Sequence, residues 1–487
     1  MKYKSNRILC LCLILNLFVQ SINAYCPNYN STQVVQAKIS KDIAQFPASY
    51  QNALKKLKDK HPNWTFEKVN INISWDTIIK NESAAGINTI TSNVPNGGTS
   101  GTYSAPLSYL STKEDAYDPY EDKYKVIDST NRYTPNAQVI GYYMDPRNFL
   151  TKEQIFQFES LKYDDSQTVQ GVQQILNGTF MKGDYTYKVK TKVKKKTKKK
   201  TKTVTKTKKV TKNYAQTFYD AGKKYKVNMY FLAIRARQEV GASLNSSTSG
   251  TCKGYKGYYN FYNIGASDSG DGSAVIKGLR YAKKKGEYGR PWNSQYKAIL
   301  GGAEFIAKNY IGIGQNTFYF QKFSVVRKQY RYWHQYMSNI EAAKSEAKKM
   351  YNMYVSKGLL KQKITFRIPV YKNMPATAVS LPKSAGSSNN YIKTITVNTG
   401  TKKRSLVKRK NYKNTVFSIT VANKVKKVKI KGKTCNKNAK ITGFGTYTLA
   451  EGKTRTIYLT VTAQNGAVRK YQVKITRLES KKKQTKS

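Results

Sequence analysis

A large excess of positive charge sets the first condition on any fold that this chain can adopt. Among 487 residues, 87 Lys and Arg stand against 27 Asp and Glu, which gives a net charge of +60. A compact chain of this charge repels itself, so we expect an anionic partner or environment, such as a wall polymer, a membrane surface or nucleic acid. Hydrophobic residues (39%) and aromatic residues (12%) are abundant enough to build cores, which excludes a wholly disordered chain. The length suggests roughly two to four domains.

The first residues have the pattern of a secretory signal. Lys2, Lys4 and Arg7 precede an apolar stretch, Ile8 to Val19, that is too short to cross a bilayer comfortably. The sequence Ile22-Asn23-Ala24 offers a signal-peptidase site. We therefore predict that residues 1–24 are removed, with an uncleaved N-terminal anchor as the alternative. No second apolar run of membrane length follows in the sequence, so a secreted protein without a transmembrane anchor is expected.

Histidine and cysteine content argues against several kinds of site. The two histidines, His61 and His334, are far apart, which rules out an HExxH zinc motif and disfavours a His-based triad. After signal removal the cysteines are Cys26, Cys252 and Cys435, an odd number that does not form a disulfide framework. We predict no metal site and no cofactor, and we expect acid–base chemistry to fall to carboxylates.

Composition and periodicity divide the rest of the chain into segments of different character. They are a mixed α/β region at 25–184, a lysine-rich hairpin or loop at 185–213, a mainly helical region with a trailing helix and strand at 214–373, a Pro-, Ser- and Gly-rich linker at 374–388, an all-β segment at 389–478 and a basic tail at 479–487. Short alternating runs such as VFSITV predict a β-sandwich for the all-β segment. The trailing strand, ITFRIPVY, is expected to return to the N-terminal region. The predicted fold class is multidomain α+β.

The lysine-rich segment is compatible with two structures. Residues 188–212 contain 14 lysines in 25 positions and no acidic residue. Alternation in YTYKVKTKV places Tyr185, Tyr187 and Val189 on one face, as in a β-strand. A lysine-coated β-hairpin and a solvated basic loop both fit this pattern. Either structure would bind polyanions.

A helix with an acidic residue near its end is predicted in the helical region. Asn228 can cap the helix MYFLAIRARQEV, which would stop at Gly241. Glu239 falls in the last turn, at the negative end of the helix dipole and on the same stripe as apolar residues. Both effects favour a protonated carboxyl group, which suits a general acid, whereas Arg235 and Arg237 could act in the opposite direction. A surface glutamate in an ion pair is the alternative.

The run GYKGYYNFYNIGASDSGDGS is rich in residues that can bind sugars. Aromatic rings such as Tyr259 and Tyr262 stack on sugar faces, and Asn260 and Asn263 can hydrogen-bond acetamido or hydroxyl groups. The alternative is a loop whose aromatic residues pack against one another. Asp268 stands in the turn that follows, where aspartate is also common for conformational reasons.

The later helix SQYKAILGGAEFIAKNYI carries a patch of small residues. Gly301, Gly302 and Ala303 would allow another helix to approach closely, and Ile299, Ile306 and Tyr310 give helical apolar spacing. Glu304 falls outside the patch, and we expect it to be solvated.

These motifs together resemble a known family. RARQEVGASLNSSTSGT, GYYNFYNIGA and KAILGGAEFIAKNYIGIGQNTFYFQKF, within about 214–335, resemble the secreted endo-β-N-acetylglucosaminidases of Gram-positive bacteria, whose mannosyl-glycoprotein endo-β-N-acetylglucosaminidase-like domain is assigned to glycoside hydrolase family 73. The segment 389–478 is similar to cadherin-like β-sandwich modules of bacterial surface proteins, through NYIKTITV and VTAQNGAVRKYQVKITR.

The resemblance implies both a fold and an activity. It implies a lysozyme-like fold for 214–373 and a secreted, cell-wall-associated autolysin that cuts peptidoglycan after N-acetylglucosamine. The family's catalytic acid corresponds to Glu239, its sugar-site positions to Tyr262 and Asn263, and a cleft tyrosine to Tyr310. Our candidate for a second carboxylate is Asp268, with Asp271 behind it; assistance by the 2-acetamido group of the substrate is the alternative.

Other functions fit parts of the sequence. A lytic transglycosylase or muramidase could use the same fold and one helix-borne glutamate. A non-catalytic wall-binding or adhesion protein would leave Glu239 without a catalytic role. The lysine tracts are expected to contact anionic wall polymers, and no nucleic-acid partner is expected because of the export signal and the absence of a familiar nucleic-acid-binding motif.

Overall fold

The computed structural model describes residues 40–99, 104–127, 131–196, 201–267 and 272–480. The predicted signal at 1–24 lies outside these ranges, as do Cys26, most of the basic tail and the two candidate carboxylates Asp268 and Asp271.

Helices and strands are both frequent, in agreement with the predicted mixed α+β class. The α-helices of the described residues are α1 Lys41–Ala44, α2 Ala48–Lys60, α3 Trp75–Glu82, α4 Ala137–Met144, α5 Val169–Leu176, α6 Tyr214–Tyr225, α7 Met229–Val240, α8 Ala274–Lys283, α9 Gln295–Ile306, α10 Phe318–Lys322 and α11 Ala342–Ser356. The strands are β1 Trp64–Ser74, β2 Ile90–Thr91, β3 Tyr117–Asp118, β4 Lys123–Tyr124, β5 Arg132–Tyr133, β6 Asp184–Lys196, β7 Thr201–Asn213, β8 Ile364–Lys372, β9 Ile392–Asn398, β10 Lys403–Ser405, β11 Val416–Val421, β12 Lys427–Thr434, β13 Lys440–Thr442, β14 Gly445–Thr448, β15 Thr454–Thr462 and β16 Val468–Arg477.

One apolar core joins the N-terminal and helical regions. Its buried residues extend along the chain from Ile43 to Tyr371. The trailing strand β8 pairs in parallel with β1, from Trp64 opposite Ile364 to Ile71 opposite Tyr371, which confirms the expected return to the N-terminal region. Trp64 is fully buried beside Phe156 and Phe366. The boundary proposed between these two regions stays a prediction.

The all-β segment forms two four-stranded sheets. Their strand orders are β10-β9-β12-β14 and β11-β16-β15-β13. Exposed and buried residues alternate along β11, as expected of a strand with one face on a core. Buried residues of both sheets, such as Ile395 and Val473, belong to one apolar cluster, which is consistent with a β-sandwich. The similarity to cadherin-like modules stays a prediction.

The lysine-rich segment forms a hairpin, one of the two structures compatible with its sequence. Strands β6 and β7 pair antiparallel, from Asp184 opposite Asn213 to Lys196 opposite Thr201. At its base, Tyr185 is buried and Tyr187 stacks on Tyr296 of α9, with ring centroids 6.0 Å apart. The alternating face therefore packs on the helical region near the base, while Lys188, Lys190 and Lys192 are exposed.

Candidate active site

Helix α7 places Glu239 at the surface end of a buried helix. The Asn228 side chain accepts a hydrogen bond from the Phe231 N–H at 2.8 Å, and Gly241 ends the helix with a φ of +75°. Both predicted ends are thereby confirmed. Leu232 and Ala236 are fully buried, whereas the Glu239 side chain keeps 24% exposure. The helix is thus packed in the core, while the carboxyl group of Glu239 at its end is accessible to solvent.

Two polar side chains hold the carboxylate of Glu239. The Asn263 Nδ2 donates to Glu239 Oε2 at 3.1 Å and to the Glu239 main-chain carbonyl at 2.9 Å. The Arg235 Nη1 lies 3.5 Å from Glu239 Oε1. Arg237 points elsewhere and donates to the carbonyl oxygens of Ile175 and Asn177. Of the two arginines considered in the sequence, only Arg235 pairs with Glu239 within the described residues.

The two asparagines of the tyrosine-rich loop have different environments. Asn260 is buried, accepts from the N–H groups of Tyr262 and Ile264, and donates to the carbonyl oxygens of Ile264 and Gly278. These bonds fold the loop, so the expectation that Asn260 hydrogen-bonds a sugar is wrong. Asn263 has a φ of +50°, a left-handed conformation that asparagine tolerates, and this turns its amide toward Glu239.

An apolar pocket with tyrosines at its wall adjoins Arg235. It is lined by Phe231, Arg235, Tyr262, Ile264, Phe305, Ile306, Tyr310, Gln321 and Tyr336. The Tyr262 hydroxyl is buried and has no hydrogen-bond partner among the residues that the structure describes, and burial raises the pKa of Tyr262 well above its ordinary value. A buried, unpartnered hydroxyl next to a pocket is a group that a polar ligand could satisfy.

Tyr310 lies on a different element of the same pocket. It belongs to the π-helical turn Ala307–Ile311 that continues α9, a type of irregularity that is frequent at functional sites. Its ring centroid is 5.5 Å from those of His334 and Tyr336, and burial raises its pKa. Tyr262 and Tyr310 therefore line the pocket together with Arg235, and Arg235 in turn contacts Glu239, which Asn263 holds.

Tyr259 and the small-residue patch make close packing contacts, and the sugar-binding role of Tyr259 stays a prediction. The Tyr259 hydroxyl end lies against Gly250, and its N–H donates to the Trp292 carbonyl. On α9, the missing side chains of Gly301 and Gly302 make room for the Trp292 indole and the Tyr262 ring. The expectation that another helix approaches at Gly301 and Gly302 is therefore wrong, because aromatic rings occupy the space beside these two glycines. Glu304 pairs with Lys308 at 2.6 Å and is partly buried rather than simply solvated.

Several residues of the site were not predicted from the sequence. Tyr336 and Gln321 line the pocket, and Glu346 of α11 contacts Arg235. Arg235 itself carried a signal, since residues four apart on a helix face each other. Glu346 carried none, because only the tertiary fold brings α11 to α7.

Within the described ranges, the structure contains neither a metal-binding cluster nor a membrane-spanning helix. No group of three His, Cys, Asp or Glu residues there is placed to hold a metal ion. No helix in the described part of the chain has the length and apolar character needed to cross a membrane.

Comparisons with known proteins bear on the identity of the chain. No protein-family model matches it. The crystal structure of S. aureus glucosaminidase B aligns with 63% of this chain and 94% of its own, with 21% identity and a TM-score of 0.39. A bifunctional autolysin of Staphylococcus epidermidis is 31% identical over 168 residues, and a beta-N-acetylglucosaminidase of Bacillus subtilis is 26% identical over 246 residues. The resemblance to autolysins and glucosaminidases is confirmed.

The similarity covers only part of each protein. It extends over 33% of this chain and 12% of the staphylococcal autolysin, and over 48% of this chain and 23% of the Bacillus enzyme. The comparisons therefore concern one part of the chain and do not show the activity or partners of the whole protein.

Proposed function

We propose that the protein is a secreted peptidoglycan hydrolase that cleaves the β-1,4 bond after N-acetylglucosamine, with Glu239 as general acid. The observation that carries the proposal is the part-exposed carboxylate of Glu239, which is held by Asn263 and by Arg235, a residue that also lines the tyrosine-lined pocket. The names of the relatives, autolysin and beta-N-acetylglucosaminidase, support the same reaction.

In the proposed mechanism, Glu239 protonates the departing glycosidic oxygen while positive charge develops on the sugar ring. A second group then acts on the other face of the ring. Asp268, with Asp271 behind it, would activate water or attack directly. Alternatively, the 2-acetamido group of the substrate would assist. The buried Tyr262 hydroxyl, which has no hydrogen-bond partner in the described part of the chain, would then bind and orient it.

Product identification tests the proposal. Purified peptidoglycan is digested with the mature protein and with Glu239→Gln, the products are reduced, and the reduced sugar is identified by mass spectrometry. Reduced N-acetylglucosamine from the wild type, and none from Glu239→Gln, is the expected result. Glu287→Gln, which changes an exposed carboxylate, is the matched control and should retain activity.

Other products would overturn the proposal in distinct ways. Reduced N-acetylmuramic acid would indicate a muramidase, and its anhydro form a lytic transglycosylase. If folded wild-type protein binds the wall and releases no fragments, a non-catalytic wall-binding protein is the better description.

We also propose that the lysine-rich hairpin retains the enzyme on anionic wall polymers. Its register places Lys188 opposite Lys209, and no acidic residue stands between Tyr185 and Asn213. Attraction between such a surface and a polyanion is long-ranged at low salt and is screened over about 10 Å at 0.1 M salt.

Removal of the hairpin tests retention separately from catalysis. Residues 188–209 are replaced by a short turn, so that the packed base with Tyr185 and Tyr187 is kept. We expect weaker binding to intact walls at low salt, little difference at high salt, and unchanged hydrolysis of small soluble glycan fragments. Equal wall binding at low salt would contradict this role.

A further inference from the structure

Arg235 lies between two carboxylates of different helices. Its Nη1 is 3.5 Å from Glu239 Oε1, and its Nη2 is 3.1 Å from Glu346 Oε2. The side chains of Arg235 and Glu346 are only 10% and 6% exposed. The contact with Glu346 is an ion pair without hydrogen-bond alignment. Because both groups are largely removed from water, the charge of each acts strongly on the other.

Aromatic rings fix the guanidinium group between these carboxylates. Its central carbon is 5.7 Å from each of the ring centroids of Phe231, Phe318 and Tyr336. The three rings come from α7, from α10 and from the segment before α11. Cation–π contacts from three directions hold a planar cation in one orientation.

Glu346 is itself held in place on α11. Its Oε1 accepts from Lys349 Nζ at 2.8 Å, one turn along the helix. Helix α11 follows the stretch at about 214–335 that carries the family resemblance. The site therefore includes a contribution from an element that the motifs do not cover.

We propose that Arg235 is a positioning residue for Glu239 and that Glu346 anchors Arg235 and offsets its charge. The inference rests on the proposed function, in which Glu239 must carry a proton to act. The positive charge of Arg235 favours the ionised form of a neighbouring carboxyl group, and the negative charge of Glu346 opposes this effect. Removing the two charges should therefore shift the pH range of activity in opposite directions.

Several other charged and titratable groups lie near Arg235 within the described residues. The phenols of Tyr262 and Tyr310 line the same pocket, and burial raises the pKa of both, so they stay neutral. The Tyr336 phenol has a pKa raised by partial burial and by Glu239, although Arg235 lowers it, so it stays neutral in the relevant pH range. Lys349 pairs with Glu346, and Lys322 lines the small cavity on the Glu346 side of Arg235. Asn263, on the loop side, is uncharged.

The pH dependence of kcat/KM is the direct test. In Arg235→Met the alkaline limb of the profile should move to higher pH, and in Glu346→Gln to lower pH. In both variants the loss of activity should lower kcat and leave KM nearly unchanged, because Glu239 is displaced and the bound substrate is not. Lys344→Gln removes an exposed charge from the same helix and should leave the limb in place. Shifts in the same direction, or an unmoved limb, would overturn the proposal.

Arg235→Lys serves in case Arg235→Met fails to fold. It keeps the charge but not the planar fork, so it should keep the limb near its wild-type position while lowering kcat. If the alkaline limb of Arg235→Lys moves as far as is expected for Arg235→Met, the charge of Arg235 does not set the position of the limb. That result would contradict an electrostatic role.

A double-mutant cycle tests the contact without any hydrolysis. Melting temperatures are measured for Arg235→Met, Glu239→Gln and the double variant. If the two side chains interact, the double variant should lose less than the sum of the single losses. Additive losses would overturn the positioning contact, whereas an inactive wild type with non-additive losses would overturn only the proposed function.

Discussion

Asn263 connects the tyrosine-rich loop to the helix end that carries Glu239. One side-chain amide donates both to the carboxylate and to the main-chain carbonyl of the same residue. It therefore fixes the direction of the Glu239 side chain relative to the backbone from which it emerges. In the proposed mechanism, that direction decides whether the proton reaches the glycosidic oxygen.

We expect Asn263→Asp to lower kcat/KM on peptidoglycan by about tenfold or more. The substitution keeps the size and the tolerance of a left-handed backbone but replaces the donor with a carboxylate oxygen. A hydrogen bond to a charged group contributes about 1.5–3 kcal/mol, and about 1.4 kcal/mol corresponds to tenfold in rate. Asn70→Asp, at an exposed position of β1, is the control. Equal activity of the two variants would contradict this role of Asn263.

The sequence could predict the kinds of residues at the site better than their individual roles. Glu239 followed from helix periodicity together with the family resemblance. Asn260 and Asn263 are the same residue type in one loop. Nothing in the local sequence indicated that Asn260 is buried and hydrogen-bonds the loop backbone, whereas Asn263 contacts Glu239. The positive φ of Asn263 and the burial of Asn260 decide this, and both depend on packing. Tyr259, likewise, packs against Gly250.

At the scale of elements, two glycines of α9, Gly301 and Gly302, leave space for aromatic rings at the wall of the pocket. A Cβ atom at Gly302 would lie 2.1 Å from Cδ2 of Tyr262, and a Cβ atom at Gly301 would lie 2.1 Å from Nε1 of Trp292. No side chain fits at either position while the rings stay in place. The helix and the tyrosine-rich loop are therefore matched in shape at the wall of the pocket.

Gly302→Ala should destabilise the protein and displace Tyr262. Overpacking of a core contact costs about 1–3 kcal/mol, although alanine is otherwise the better helix former. Thermal unfolding should show a lower melting temperature, and activity should fall even at temperatures where the variant is folded. Gly183→Ala, where nothing lies within 4 Å of the added atom, should change neither. A Gly302→Ala variant with wild-type stability and activity would contradict the tight contact.

Element boundaries were predictable where local signals exist. Asn228 and Gly241 bound α7 because a capping side chain and a residue with positive φ are sequence-local requirements. The return of β8 to the N-terminal region followed from its pattern, but its parallel register with β1 did not. Pairing across so large a separation depends on the whole core, and no pattern in either strand specifies it.

At the scale of the whole molecule, a buried carboxyl group joins distant parts of the chain. Glu159 Oε1 accepts from Tyr354 on α11 at 2.5 Å and from Asn228, the cap of α7, at 3.2 Å. Burial raises the pKa of Glu159 from 4.5 to about 7, against the opposing effect of these two hydrogen bonds. The folded protein thus keeps a proton that the unfolded chain loses above about pH 4.5.

This buried carboxyl group should make stability depend on pH. The contribution of protonated Glu159 to the free energy of unfolding is complete below the pKa of this group in the unfolded chain. This contribution is lost as the pH rises through about 7, the pKa in the folded protein. Between pH 5 and pH 8, the wild type should therefore lose about 2–3 kcal/mol of unfolding free energy relative to Glu159→Gln. Urea unfolding of both proteins at the two pH values measures this difference, with Glu287→Gln as the exposed control. Parallel pH dependence of the wild type and Glu159→Gln would contradict the assignment.

Part of the negative charge of the chain forms ion pairs within the molecule, which the composition could not show. Acidic residues of the N-terminal region meet basic residues of the β-sheet segment: Asp118 pairs with Arg409, Glu121 with Lys393, and Glu114 with Lys413. Buried Asn389 adds hydrogen bonds from the junction to Tyr117 and Pro119. Some of the scarce negative charge is thus paired within the molecule.

The role of Glu239 as general acid is tested most directly by varying the leaving group. A dinitrophenyl glycoside of an N-acetylglucosamine oligosaccharide releases a weakly basic phenolate that needs no proton, whereas the wall glycan does. We expect Glu239→Gln to lower kcat/KM on the wall glycan by about 10²–10⁴-fold. The loss on the activated glycoside should be much smaller. Equal losses on both substrates, or no loss on either, would contradict the assignment of Glu239 as the proton donor.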